Sequence, residues 1–183
     1  MKQSITKILI TLIICMMSTD AFGYYYDIVV ENADGVSIYY KYINGGTELE
    51  VSEGDKLYAD EVNIPEVVTF ENKTLKVTAI GERAFFGSNL LSSVTIPNSV
   101  TSIGHAAFRD CSNLITVTIP QSVTSIGNFV FEFCSGLSSI IVEEGNTIYD
   151  SRNNCNAIIE TESKELKYGC MNTIIPEGQA PCC

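Results

Sequence analysis

Few side chains in this chain have the type and spacing to do chemistry. There is one histidine, His105, and there are seven cysteines: Cys15, Cys111, Cys134, Cys155, Cys170, Cys182 and Cys183. A general base needs a partner held within hydrogen-bond reach. No motif nominates one for His105, whose place is taken by Glu82 and Asn128 in related segments. The chain has no G-x-S-x-G elbow and no phosphate-cradling loop. No Cys-His nucleophile pair follows from the spacing, and no cysteine pair has zinc-knuckle spacing. Glu143 and Glu144, with Glu160, Glu162 and Glu165, lack the ligand order of a calcium loop and read as a solvated face. Asn72-Lys73-Thr74 is a glycosylation sequon that matters only in a host that uses it. Catalysis, a cofactor and a metal ion are therefore not expected. Presentation of a binding surface is.

The N-terminus bears on the address. Lys2 and Lys7 flank the start of an apolar run, Ile8 to Met17, that is too short to span a bilayer. Ala21-Phe22-Gly23 is a small-x-small cleavage site, so residues 1–23 read as a secretory signal with cleavage after Gly23. Cys15 follows bulky Ile14 inside the apolar run, which argues against a lipid-anchor cysteine. No later segment is apolar for long enough to cross a membrane. A secreted, cell-surface or periplasmic location follows, where disulfides are permitted. The formal charge of −11 repels phosphate backbones, so nucleic acid is not an expected partner, and it disfavours anionic membranes.

The elements that must position any site come from internal repetition. Val77-Thr78-Ala79-Ile80-Gly81 recurs as Val100-Thr101-Ser102-Ile103-Gly104 and as Val123-Thr124-Ser125-Ile126-Gly127, each step being 23 residues. Phe85, Phe108 and Phe131 keep the step, as do Leu91, Leu114 and Leu137, and Val94, Val117 and Ile140. Val94-Thr95-Ile96 and Val117-Thr118-Ile119 alternate like half-buried strands that Pro97 and Pro120 terminate. Gly81, Gly104 and Gly127 suit a tight turn. One coil cannot bury its own apolar face, whereas stacked coils can. The expected fold is a mainly β repeat solenoid with a parallel concave sheet.

The string VTIPNSVTSIGHAAFRDCSNL, Val94 to Leu114, resembles the BspA-like leucine-rich repeat of bacterial surface and secreted proteins. Tyr149 to Glu160 resembles that family's recurring non-standard repeat. The resemblance covers about Val62 to Pro176, with Val62-Asn63-Ile64-Pro65 as first strand and Val67 to Lys76 as an insertion. It implies adhesion to host matrix proteins, cells or microbial partners without a cofactor. The family usually carries more repeats, so a truncated or vestigial structural fragment is the alternative reading.

Residues 24–76 are expected to form an N-terminal β cap with the first strand and its insertion, 77–148 the repeats, and 149–183 an irregular repeat with a hairpin and tail. The turns Asp34-Gly35 and Asn44-Gly45-Gly46 punctuate the cap. Six of the nine tyrosines fall in it, between Tyr24 and Tyr42, either packing there or anchoring a ligand. In the hairpin, pairing Ile159 with Leu166 and Ala157 with Tyr168 would set Cys155 opposite Cys170, where a disulfide is possible. Cys111 and Cys134 sit in phase and read as buried small-residue packing. Cys182 and Cys183 are able to cross-link an otherwise monomeric chain. Alternation sends Ser93, Thr95, Thr116, Thr118, Ser139 and Ile141 to the outer, concave face as the expected platform for a protein or glycan ligand.

Overall fold

A computed structural model describes residues 26–174. The expected signal segment and cleavage site, with Cys15, Cys182 and Cys183, lie outside the described residues. The chain runs through β1 (Ile28–Glu31), β2 (Ser37–Ile43), β3 (Glu48–Val51), β4 (Ala59–Asn63), β5 (Val67–Phe70), β6 (Lys73–Ile80), β7 (Leu90–Thr95) and β8 (Ser102–Ile103). It continues through β9 (Thr116–Ile119), β10 (Ser125–Ile126), β11 (Ser139–Val142), β12 (Tyr149–Asp150), β13 (Ala157–Glu160) and β14 (Leu166–Gly169). No α-helix occurs among the described residues.

The repeat dictates the pairing. Strands β4, β7, β9 and β11 form one all-parallel sheet in the order β11-β9-β7-β4. Val94 faces Val117 and Val117 faces Ile140, so residues 23 apart lie side by side. On a second sheet β3, β6, β8 and β10 are parallel, because Glu50-Val51, Ala79-Ile80, Ser102-Ile103 and Ser125-Ile126 stack coil on coil. β7 ends at Thr95 and β9 at Ile119, ahead of Pro97 and Pro120.

A third line of pairing runs along the arcs that carry the phenylalanines. Arg83, Phe85 and Gly87 donate their backbone N–H groups to the carbonyls of His105, Ala107 and Arg109 at 3.0, 2.8 and 2.9 Å. Ala106, Phe108 and Asp110 donate to Asn128, Val130 and Glu132 at 2.9, 3.0 and 2.9 Å. The arcs turn by left-handed residues at matching places: Arg83, Ala106 and Phe129, then Gly87, Asp110 and Phe133. Three hydrogen bonds at about 1 kcal/mol each roughly offset two left-handed residues at about 1–2 kcal/mol each. The net gain therefore comes from what the arcs bury.

They bury rings. Phe85 and Phe108 are fully buried and stack with centroids 4.9 Å apart and planes within 6°. Phe108 and Phe131 stack at 5.6 Å and 11°. Each ring contributes about 1.5–3 kcal/mol by burial, and stacking adds about 0.5–1.5 kcal/mol per pair. The row continues at both ends. Tyr58 packs on Phe85 at 4.7 Å, Tyr39 on Tyr58 at 5.9 Å, and Tyr168 stands edge-on to Phe131 at 5.7 Å. The cap tyrosines Tyr39, Tyr40 and Tyr58 are thus core.

Two expectations change and a third gains its form. The repeat glycines do not serve a left-handed turn. A Cβ on Gly104 would lie 2.6 Å from the Glu82 nitrogen, and one on Gly127 would lie 2.6 Å from the His105 nitrogen. They are required by the close approach of neighbouring coils. The Val67–Lys76 insertion is an antiparallel β5–β6 hairpin turned by left-handed Glu71 and Asn72. In the C-terminal hairpin Ile159 does pair with Leu166, but a bulge between Ile158 and Ile159 sets Ala157 against Gly169 and Ile158 against Tyr168. Cys155 and Cys170 are consequently not opposite one another, and both are free thiols. Cys155 packs in a small cluster with Ala157, Ile159 and Leu166, while Cys170 packs against the main core.

Phe108→Ala should cost about 3–5 kcal/mol in denaturant unfolding, because the rings on both sides fix the cavity. A loss under about 1 kcal/mol would mean that the ring is not enclosed. Gly104→Ala should cost about 3 kcal/mol by pushing coils apart. Gly87→Ala, whose Cβ meets nothing nearer than 4.0 Å, should cost only the left-handed penalty of about 1 kcal/mol.

Candidate binding surface

The parallel sheet buries Val62, Val94, Val117 and Ile140 on its inner side. Alternation therefore turns the flanking residues outward. Register aligns them in two rows. One is Glu61, Ser93, Thr116 and Ser139, and the other is Asn63, Thr95, Thr118 and Ile141. Thr95, Thr116 and Ile141 are exposed, and Ser93, Thr118 and Ser139 are half-buried. All six expected residues lie on this one face. Glu61 and Asn63 extend it and escaped sequence reasoning. Their strand stands 32 residues before β7 by its Val62–Val94 pairing, out of the 23-residue phase, because the β5–β6 hairpin intervenes.

The two ends of the face differ. At the β4 end the Asn63 amide donates to the Asp34 carboxylate at 2.8 Å, and the Asn32 amide donates to the Asn63 carbonyl at 2.9 Å. The β1–β2 turn thus braces the edge strand and brings acidic Asp34 to Asn63 at its end. At the β11 end the Val142 N–H donates to the Ser151 hydroxyl at 3.0 Å, and the Ser139 hydroxyl donates to the Asn156 amide oxygen at 3.4 Å. Ser151 thereby blunts an edge open to further pairing. A groove of about 510 Å³ runs along this border, lined by Ile141, Glu143, Asp150, Arg152, Asn154 and Asn156 among others. Burial works against the Asp150 charge, but hydrogen bonds from Arg152 at 2.7 Å and Thr161 at 3.0 Å outweigh it and hold its carboxyl below the usual aspartate range.

Nothing on the described surface assembles a reacting centre. His105 is exposed, meets the Phe129 ring edge-on at 5.6 Å, and makes no side-chain hydrogen bond among the described residues. Cys111 and Cys134 stack coil to coil. Their thiols donate to the Phe85 and Phe108 carbonyls at 3.0 and 2.9 Å. The neighbouring Cys134 thiol and burial push the Cys111 thiol above the usual thiol range. No group of three histidine, cysteine or acidic side chains fit to hold a metal ion occurs among the described residues. No helix there is long and apolar enough to cross a membrane.

The family model of the BspA-type leucine-rich repeat region matches residues 54–174 in six copies. Among solved structures, the chain is similar to a leucine-rich repeat protein from Bacteroides ovatus, with 36% identity and a TM-score of 0.57 over 63% of this chain. It spans 29% of that protein's length. It is also similar to a leucine-rich repeat protein from Bacteroides capillosus, with 26% identity and a TM-score of 0.46, covering 63% of this chain and 98% of that one. No curated protein matches the chain in sequence.

Substitutions on the outer face should leave the fold intact. Thr95→Arg with Thr118→Arg should change unfolding free energy by no more than about 1 kcal/mol, each site being within about 0.5 kcal/mol of neutral. The stability advantage of the parent chain over Asp150→Asn should be full above the ordinary aspartate pKa. Titration of thermal midpoints should show it fading as pH falls through the lowered value.

Proposed function

The chain belongs to the BspA-type leucine-rich repeat family, and on that premise we propose that it is an exported interaction module that binds a protein or glycan on the outer face of its parallel sheet. The observation that carries this reading is the pair of in-register rows crossing four strands, with Thr95, Thr116 and Ile141 exposed upon them. Strand positions packed against the core hold these groups on a rigid backbone, so little ordering is lost on binding. Small hydroxyls leave main-chain-like donors and acceptors accessible without a bulky side chain to displace. Asp60, Glu61 and Asp34 at one end, with a chain charge of −11, favour a basic or uncharged partner. Adhesion to matrix or cell-surface ligands is the role that this face fits. On this reading the activity is recognition and not turnover.

Export rests on Lys2, Lys7, the Ile8–Met17 run and the Ala21-Phe22-Gly23 site. N-terminal sequencing of the exported protein should begin at Tyr24.

The direct test is a binding screen of residues 24–183 against arrayed glycans and extracellular-matrix proteins. A salt-tolerant hit that is lost in the folded Thr95→Arg, Thr118→Arg variant supports the outer face. Undiminished binding by that variant removes this face from the mechanism.

A further inference from the structure

The arc ladder ends asymmetrically, and its last rung is open. In the first two arcs, backbone N–H groups at three alternate positions reach carbonyls of the next coil: those of Arg83, Phe85 and Gly87, then those of Ala106, Phe108 and Asp110. The equivalent groups of the third arc belong to Phe129, Phe131 and Phe133, and they donate to no acceptor among the described residues. The carbonyls of the same residues already take the N–H groups of Glu132, Cys134 and Ser135 within the arc. The edge therefore presents three N–H donors without acceptors among the described residues.

Space lies against it. The chain leaves the regular path after β11, and the β13–β14 hairpin takes the place of a fourth arc. Tyr168 caps the ring row edge-on at 5.7 Å instead of stacking, and its hydroxyl reaches the Gly127 carbonyl. Between the third arc and β14 this leaves a groove of about 640 Å³, bordered by Phe129, Phe131, Glu132, Lys167, Tyr168 and Thr173 among others. Phe129 lines it and is 53% exposed, while Phe133, 62% exposed, lies farther along the arc with Arg109 over its ring.

We infer that this edge is a second binding site, separate from the outer sheet face, which takes a main-chain segment of a partner protein that follows the third arc as the arc of residues 105–109 follows the first. Hydrogen-bond complementarity identifies the occupant. Three N–H donors at two-residue spacing require three carbonyls at the same spacing on one side of the ligand, as His105, Ala107 and Arg109 supply to the first arc. A second copy does not fit. Its own third arc also presents donors, and the opposite end of its ladder is covered where Tyr58 packs on Phe85 at 4.7 Å and donates its N–H to Ser88 at 3.2 Å. The two completed rungs also set side-chain preference. The central accepting residue is Ala107 in one and Val130 in the other, both with no exposure, while His105, Arg109, Asn128 and Glu132 flank them. The ligand carries a small apolar residue between two polar ones, each one residue removed.

The probe is a capped peptide with the sequence of residues 104–112 and serine in place of Cys111, since that segment accepts from an arc in the intact protein. The readout is amide exchange in the full mature chain. In the free protein the Phe129, Phe131 and Phe133 amides should exchange at least about tenfold faster than the in-phase Ala106, Phe108 and Asp110 amides. Saturating peptide should slow the first three by about tenfold or more, and a peptide with Ala107→Asp should not. The Thr95→Arg, Thr118→Arg variant should bind the probe as the parent does, so this site and the outer face fail independently. Protection of the three amides in the free protein, or a peptide response confined to the rows of Thr95 and Thr118, would overturn the inference.

Discussion

Neighbouring coils approach until backbone meets backbone at the repeat glycines, and most of the architecture follows from that distance. At Gly104 and Gly127 there is no room even for a methyl group. The same separation sets the sheet hydrogen bonds on one side, the arc hydrogen bonds on the other, and the ring spacing of 4.9 to 5.6 Å between them. Hydrogen bonds and left-handed arc residues nearly offset each other. Enclosed phenylalanine rings therefore supply the surplus that makes a coil worth adding, and the array is stable only as a stack.

A stack of this kind must end twice, and the ends are built differently. At the N-terminal side the second sheet continues through β3 into the antiparallel β1–β2 hairpin, while Tyr58 and Tyr39 extend the aromatic row. At the C-terminal side an antiparallel hairpin turns Tyr168 edge-on, and Ser151 occupies the border of β11. The sheet edge is closed there, but the arc edge is not. The donors of the third arc have no acceptor among the described residues.

The two proposed surfaces differ in character. The outer sheet face is hydroxyl-rich, suited to a ligand that reads side chains laid out in rows. The open arc is a main-chain site, suited to a ligand that completes a ladder. Neither needs a titrating group, which accords with a lone exposed histidine and with thiols directed at backbone carbonyls.

Much of this was legible in the amino-acid order. A 23-residue phase at Phe85, Phe108 and Phe131 compels stacking, and strict alternation around Val94 and Val117 compels an inner and an outer face, so coil, strands and the six outward residues follow from periodicity alone. What the sequence could not settle lies where periodicity stops. The Glu61–Ser93 pairing is out of phase, the hairpin bulge displaces Cys155 from Cys170, and both depend on backbone geometry that residue types do not encode. The purpose of the repeat glycines and the vacancy beside Phe131 depend on distances between segments far apart in the chain. Those are fixed only once the coils have packed.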